Sequence, residues 1–205
     1  WLLPRNPPRR PPHLPPRLHE DGDAGARILD LCTGGGSLAV IAATTWPAAE
    51  VVGSDLSTEA LALAAENVAD YGLGERVRLV QGDLFAGLGR ERFDLILCNP
   101  PYVNARSMAA LPAEFRAEPQ AALAGGADGM DLVARILADA PAHLRPDGLL
   151  VVEIGHEARH FEHRFDRLEF AWVGVAQGED RIVAVGAPAL RAAAGKANRP
   201  RGRRR

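Results

Sequence analysis

Hydrophobic positions first become regular at Arg27, where Arg27–Leu31 forms a short apolar run. The glycine cluster Gly34-Gly35-Gly36 follows, then an alanine-rich helical stretch, Ser37–Thr45. Glu50–Gly53 reads as a second strand that ends at Asp55. Ser57–Tyr71 has the helical period, with Ser57 as its N-cap and Gly72 as its stop. Val77–Val80 and Phe93–Cys98 are the next strands, and Asp131–Leu144 is a helix. Leu149–Ile154 is a fifth strand, and His156–Phe165 another helix. Phe170–Val175 and Arg181–Val185 predict two last strands around a turn at Gln177–Asp180. Strands alternating with helices call for a doubly wound α/β domain, a mainly parallel seven-stranded sheet covered on both faces. The closing connection is too tight for a parallel crossover, so the final strand is expected to be antiparallel.

The two ends carry no such pattern. Residues 1–25 are rich in proline and arginine and are expected to be unstructured, because they bury too little to offset their ordering entropy. The catalytic domain is expected over residues 26–190 and a disordered basic tail over 191–205. The net charge of −2 hides this division: residues 21–195 carry fourteen basic and twenty-five acidic side chains, a net of −11. Such a body repels a phosphate backbone, so direct nucleic-acid binding by the core is not expected, whereas the arginines of the tail are free to touch RNA. No apolar run is long enough to span a membrane and no signal-peptide pattern opens the chain, so a cytoplasmic location is expected. Cys32 and Cys98 lack metal or redox spacing and read as reduced thiols.

In such sheets ligands sit beyond the carboxyl ends of the strands. The residues there are Asp30 to Gly36, Asp55, Gly82-Asp83, Asn99 to Tyr102, and Glu153 to Gly155. Gly34-x-Gly36-x-x-Ala39 with Asp55 nineteen residues after Gly36 also fits a dinucleotide loop. Asp30 and Asp83 argue against it, because a pyrophosphate would meet carboxylates where it needs bare N–H groups. A cationic sulfonium and ammonium suit them, which points to S-adenosylmethionine. Thr33, Gly34, Gly35 and Gly36 then form the loop that approaches its methionine and ribose, with Asp30 accepting from the ammonium. Asp55 takes the ribose hydroxyls and Leu56 packs on the adenine; Asp83 accepts from the adenine amino group, Leu84 lines its face, and Asn99 is also expected at the cofactor. Read plainly, Asp55 caps a helix and Asp83 a turn.

Asn99-Pro100-Pro101-Tyr102 directly follows the fourth strand. The prolines end the strand sharply and leave the Asn99 side-chain oxygen and the Pro100 carbonyl free to accept. Two adjacent acceptors match the two N–H bonds of a planar NH₂ group, and the Tyr102 ring can stack on it. An amide nitrogen is a feeble nucleophile, so holding both hydrogens helps it attack a methyl group.

The segments Asp30–Gly36, Gly53–Asp55, Gly82–Phe85 and Asn99–Tyr102 resemble the bacterial protein-glutamine methyltransferases, over roughly Arg27 to Leu190. That resemblance implies a Rossmann-like, class I methyltransferase fold, S-adenosylmethionine as cofactor, and a protein substrate methylated on a glutamine side-chain amide. Leu111–Pro119, Gly129–Val133, Val152–His156 and Phe170–Trp172 look like the branch that acts on large-subunit ribosomal protein three. The release-factor branch, a nucleic-acid amino-methyltransferase and an inactive binding module stay open as alternatives. Gly35 stands where the family usually has serine. The family also has a helical N-terminal domain, which reads as missing here. His156, His160 and His163 share a helical face, but methyl transfer needs no metal and none is expected. Val103–Gly129, following the tetrapeptide, is expected to be a substrate-binding lid.

Overall fold

The computed structural model describes residues 13–18, 25–101, 130–155, 157–174 and 182–197. Tyr102, the expected lid at 103–129, His156 and the turn expected at 177–180 lie outside them. The elements are β1 (Arg27–Leu31), α1 (Ser37–Thr45), β2 (Glu50–Asp55), α2 (Thr58–Asp70), β3 (Val77–Gln81) and β4 (Phe93–Cys98). After them come α3 (Asp131–His143), β5 (Leu144–Glu153), α4 (Ala158–Arg164), β6 (Ala171–Val173), β7 (Ile182–Gly186) and α5 (Ala187–Ala197). Single 3₁₀ turns occupy Pro16–Leu18 and Ala86–Leu88.

The seven strands lie in the order β3-β2-β1-β4-β5-β7-β6. From β3 to β5 every pairing is parallel, and β7 runs antiparallel to both β5 and β6. The expected sheet and its antiparallel final strand are therefore present. Leaving β1, the chain builds outward through β2 and β3, then returns to place β4 on the other side of β1. The loops after β1 and β4 thus diverge to opposite faces and open a crevice between them.

Alternation along the central strands fills both faces. Ile28, Leu95, Leu149 and Ala184 point to the side covered by α1 and α2. Leu29, Leu31, Ile96, Leu150 and Val183 point to the side covered by α3, α4 and α5. Helix α1 packs closely because its buried residues are small: Ala39, Val40, Ala42 and Ala43. At the amino ends of the strands the buried Asp94 accepts from the Arg27 backbone N–H at 2.8 Å and pairs with Arg145 at 3.0 Å. Among the described residues no helix is long and apolar enough to cross a membrane.

Most boundaries shift from the sequence reading by a residue or two, and three larger departures each have a packing reason. Strand β5 begins at Leu144, not Leu149, since Arg145-Pro146-Asp147-Gly148 reads as a turn but forms an irregularity inside the strand, with Leu144 opposite Phe93. The basic tail expected from residue 191 instead continues α5 to Ala197. Ala187 and Leu190 are buried in the α3-side core, and Arg191 donates to the Leu144 carbonyl at 2.9 Å. Alanine-rich sequence favours this helix, whatever its arginines suggest. Within the expected unstructured segment 1–25, Leu18 is buried beside α1, and its carbonyl accepts from Trp46 Nε1 at 3.1 Å. Leu18→Ala should therefore lower unfolding stability by about 2 kcal/mol in a urea titration; an unchanged midpoint would mean that this turn does not dock.

Candidate active site

Three carboxylates and one asparagine converge at the carboxyl ends of β1 to β4. Asp30 is the last residue but one of β1 and is fully buried. Its Oδ2 accepts from the Ala39 backbone N–H at 2.9 Å and from the Thr33 hydroxyl. Ala39 is the third residue of α1, whose N-cap is Gly36 and supplies no side-chain cap. Asp30 therefore caps that helix from below, and Thr33 ties the loop to the same oxygen.

The loop is held from two other sides. Asp55, at the end of β2, accepts from the Gly34 N–H through Oδ2 and from the Ser57 N–H through Oδ1, both at 2.9 Å. One oxygen thus steadies Ser57, whose own side chain caps α2, while the other reaches across to the glycine loop. Asn67 of α2 donates to the Gly35 carbonyl at 2.8 Å. Gly34 and Gly36 have φ of 55° and 84°, where side chains are disfavoured. A Cβ on Gly36 would also meet Ala64 Cβ at 3.1 Å, so the loop lies directly on α2. A Cβ on Gly35 would meet only the exposed Leu63 closely, at 3.2 Å, so packing does not require glycine there.

These bonds decide between the two readings of the loop. The Gly34 and Ala39 N–H groups are donors that a dinucleotide pyrophosphate would need, and each is already given to a carboxylate. The residues fit a cationic ligand better. Asp30 Oδ1 is buried without a hydrogen-bond partner, and Gly34 has open space on its Cβ side. Leu56, expected against the adenine, is 65 % exposed, a large apolar surface at the rim of the site.

The other expected residues fall around this loop. The Gly82 N–H donates to the Asp55 carbonyl at 2.9 Å, which brings the turn after β3 to the end of β2. Asp83 in that turn is half exposed and pairs with Arg135 of α3 at 2.8 Å. Leu84 was expected to line the adenine, but its side chain is buried in the α3-side core and its backbone has φ of 53°. Asn99 is exposed, Pro100 buried and Pro101 half-buried. Leu31 is the register partner of Cys98, so Asn99 leaves its strand level with Cys32 at the start of the glycine loop. Tyr102 is not among the described residues.

Two residues of this arrangement were missed from the sequence. Asn67 had a faint signal, a poor helix former inside a helix. Arg135 had none, being one of many charged residues on a helix. His160 and His163 of α4 are exposed, His160 pairs with Glu157, and no metal-binding cluster occurs among the described residues.

The model for the family described as "Methyltransferase small domain" matches residues 13–127, more than half of the chain. The chain belongs to the methyltransferase small domain family. The glycine loop and the Asn99 turn both fall within the matched residues. Among curated relatives, a "Ribosomal protein uL3 glutamine methyltransferase" of Bordetella pertussis is 56 % identical over 157 residues, covering 77 % of this chain and 53 % of the relative. One of the same description from Burkholderia pseudomallei is 49 % identical over 183 residues, covering 86 % and 60 %. This family member thus spans between half and three fifths of their length. A methyltransferase crystal structure from Pyrococcus furiosus has the same fold, with a TM-score of 0.57 at 17 % identity, covering 80 % of this chain and 76 % of that one.

Burial is the largest influence on Asp30. It pushes the carboxyl up to about 6, against the opposing hydrogen bonds from Thr33 and Ala39, while the charge of Asp55 adds to the rise. The Cys98 thiol is likewise pushed well above its usual value by burial, then by Cys32 beside it and by Asp30. A raised carboxyl favours the protonated folded state, so its stabilisation is complete below the unfolded value of 3.8 and is lost as pH rises through about 6. The two-unit gap corresponds to about 3 kcal/mol. Urea titrations at a series of pH values should show stability falling across this window in the wild type and a flatter profile in Asp30→Asn; parallel profiles would sink the assignment.

Proposed function

We propose that this chain carries the catalytic domain of an S-adenosylmethionine-dependent methyltransferase acting on the side-chain amide nitrogen of a glutamine in large-subunit ribosomal protein uL3. The observation that carries the reading is the placement of Asn99. Its turn follows β4, the parallel neighbour of β1, at the level where the acid-braced glycine loop begins. The relatives named above supply the substrate: chains 49–56 % identical are described as uL3 glutamine methyltransferases. An enzyme of a ribosomal protein works in the cytoplasm. The net −11 of residues 21–195 favours a protein substrate over nucleic acid gripped by the core.

When bound, S-adenosylmethionine supplies a methyl group activated by a positively charged sulfur. Gly34 to Gly36 offer the backbone surface for its methionine and ribose parts. Asp30 contributes negative charge from beneath the loop, and its unpartnered Oδ1 has capacity for a water or an ammonium. Each Asp55 oxygen accepts one backbone bond here, and a carboxylate oxygen can accept another, which leaves both able to take ribose hydroxyls. Leu56 provides the apolar cover for the adenine.

Asn99 and Pro100 act on the other reactant. The Asn99 side-chain oxygen and the Pro100 carbonyl accept the two hydrogens of the glutamine amide, and Tyr102 stacks on its plane. Held this way, the nitrogen presents its lone pair to the methyl carbon. The two acceptors also stabilise the positive charge that grows on nitrogen as the new bond forms. The surplus proton leaves to water.

Calorimetric titration with S-adenosylmethionine and a methyl-transfer assay on purified uL3 test the two halves separately. Asp55→Ala should weaken donor binding at least tenfold. Asn99→Ala should keep donor affinity within about threefold and lower the methylation rate by about 10²-fold or more. Tight donor binding with no transfer to uL3, but transfer to RNA or a release factor, would replace the substrate and keep the chemistry.

A further inference from the structure

Asp83 and Arg135 are joined across the rim of the site, 52 residues apart in sequence, by a single bond of 2.8 Å from an Arg135 Nη to Asp83 Oδ2. Both side chains are about half exposed. A pair this open contributes little to stability, so holding the fold is a poor account of it. Its position is more informative. Asp83 sits in the turn after β3, and that turn is itself fixed. Gly82 is tied to the Asp55 carbonyl, and the left-handed Leu84 is anchored by its buried side chain. The backbone around Asp83 is thus set, while its carboxylate keeps rotational freedom. Arg135 restricts that freedom by engaging Oδ2, which leaves Oδ1 to accept.

Arg135 is well mounted for this. It lies in the second turn of α3, whose Val133, Ile136 and Leu137 are buried on either side of it in the core. Asp139, one turn further along the same helix, adds a second negative charge near the guanidinium. The start of α3 is pinned in turn by Arg164 of α4, which pairs with Asp131 at 2.8 Å.

We propose that Arg135 is a positioning residue that orients Asp83 to accept a hydrogen bond from the adenine amino group, so that Arg135 contributes to selecting an adenosyl donor. The inference rests on the donor-site reading above. Arg135 touches no reacting atom; it acts through Asp83. Its effect falls on donor affinity and base discrimination, not on the methyl-transfer step.

The test is calorimetric binding of S-adenosylhomocysteine and of S-inosylhomocysteine, in which a carbonyl oxygen replaces the amino group. The wild type should prefer the adenosyl compound. Arg135→Ala should cut that preference about fivefold, with the melting temperature within about 2 °C of wild type. Arg135→Lys, which keeps the charge, should recover part of the preference. A merely structural arginine would move the melting temperature and both ligands together, which would overturn the proposal. So would an unchanged preference in Arg135→Ala. Asp55→Ala separates the two levels of failure. If it abolishes binding while Asp83→Asn and Arg135→Ala leave discrimination intact, the donor site stands and the amino group is read elsewhere. If the folded wild type binds neither ligand, the donor-site reading itself fails.

Discussion

The buried carboxylate of Asp30 is the interaction on which the site is built. One oxygen holds the amide of Ala39 and the hydroxyl of Thr33, so β1, the glycine loop and the first turn of α1 share one anchor. The loop can then consist of three glycines without becoming slack, because its order is imposed from outside: by Asp30 below, by Asp55 at the end of β2, and by Asn67 from α2. Burial makes that anchor costly when ionised, which is why its carboxyl is pushed up to about 6. A positively charged ligand nearby would lower the cost. The same carboxylate that organises the loop therefore also favours a cation beside it.

The sheet order does the rest. With β4 returning to the far side of β1, the two turns that matter emerge next to each other from parallel neighbours. One presents the braced glycine loop, the other an asparagine between strand and proline. Opposite ends of the same strands have another character. There Arg27, Arg78, Glu91, Asp94 and Arg145 satisfy one another in ion pairs. Charge is neutralised at the amino edge, whereas acidic groups gather at the carboxyl edge.

Much of this was legible in the residue pattern. Strands β1 and β4 and helix α1 run where the apolar period places them, and the Ser57 cap accepts from the Ala60 N–H at 3.1 Å. The polar residues at strand ends were legible for the same reason: an apolar strand that stops at Asp or Asn announces its own end. What escaped depends on tertiary context. Arg145 to Gly148 carries every sign of a turn, yet Leu144 is drawn into the sheet by Phe93. Helix α5 lay hidden in a segment judged by its arginines, though Leu190 had a core to enter. Nothing local says that the backbone at Leu84 turns left-handed or that its side chain is buried. Asn67 and Arg135 act across long sequence separations, and a single sequence does not report such pairs.

The insertion of β7 between β5 and β6 bears on how the molecule is made. A ribosome delivers β5 and β6 before β7, yet they do not pair with each other; β5 joins β4, while its outer edge and β6 both wait for Ile182–Gly186. Until those residues emerge, β5 presents an open apolar edge along Leu149–Glu153, and β6 has no partner at all. The nascent chain thus passes through a stage with a half-finished sheet, in which the edge of β5 is a template for the wrong strand. The half built from β1 to β4 is complete long before, so β7 sets how late in synthesis the chain becomes safe from aggregation.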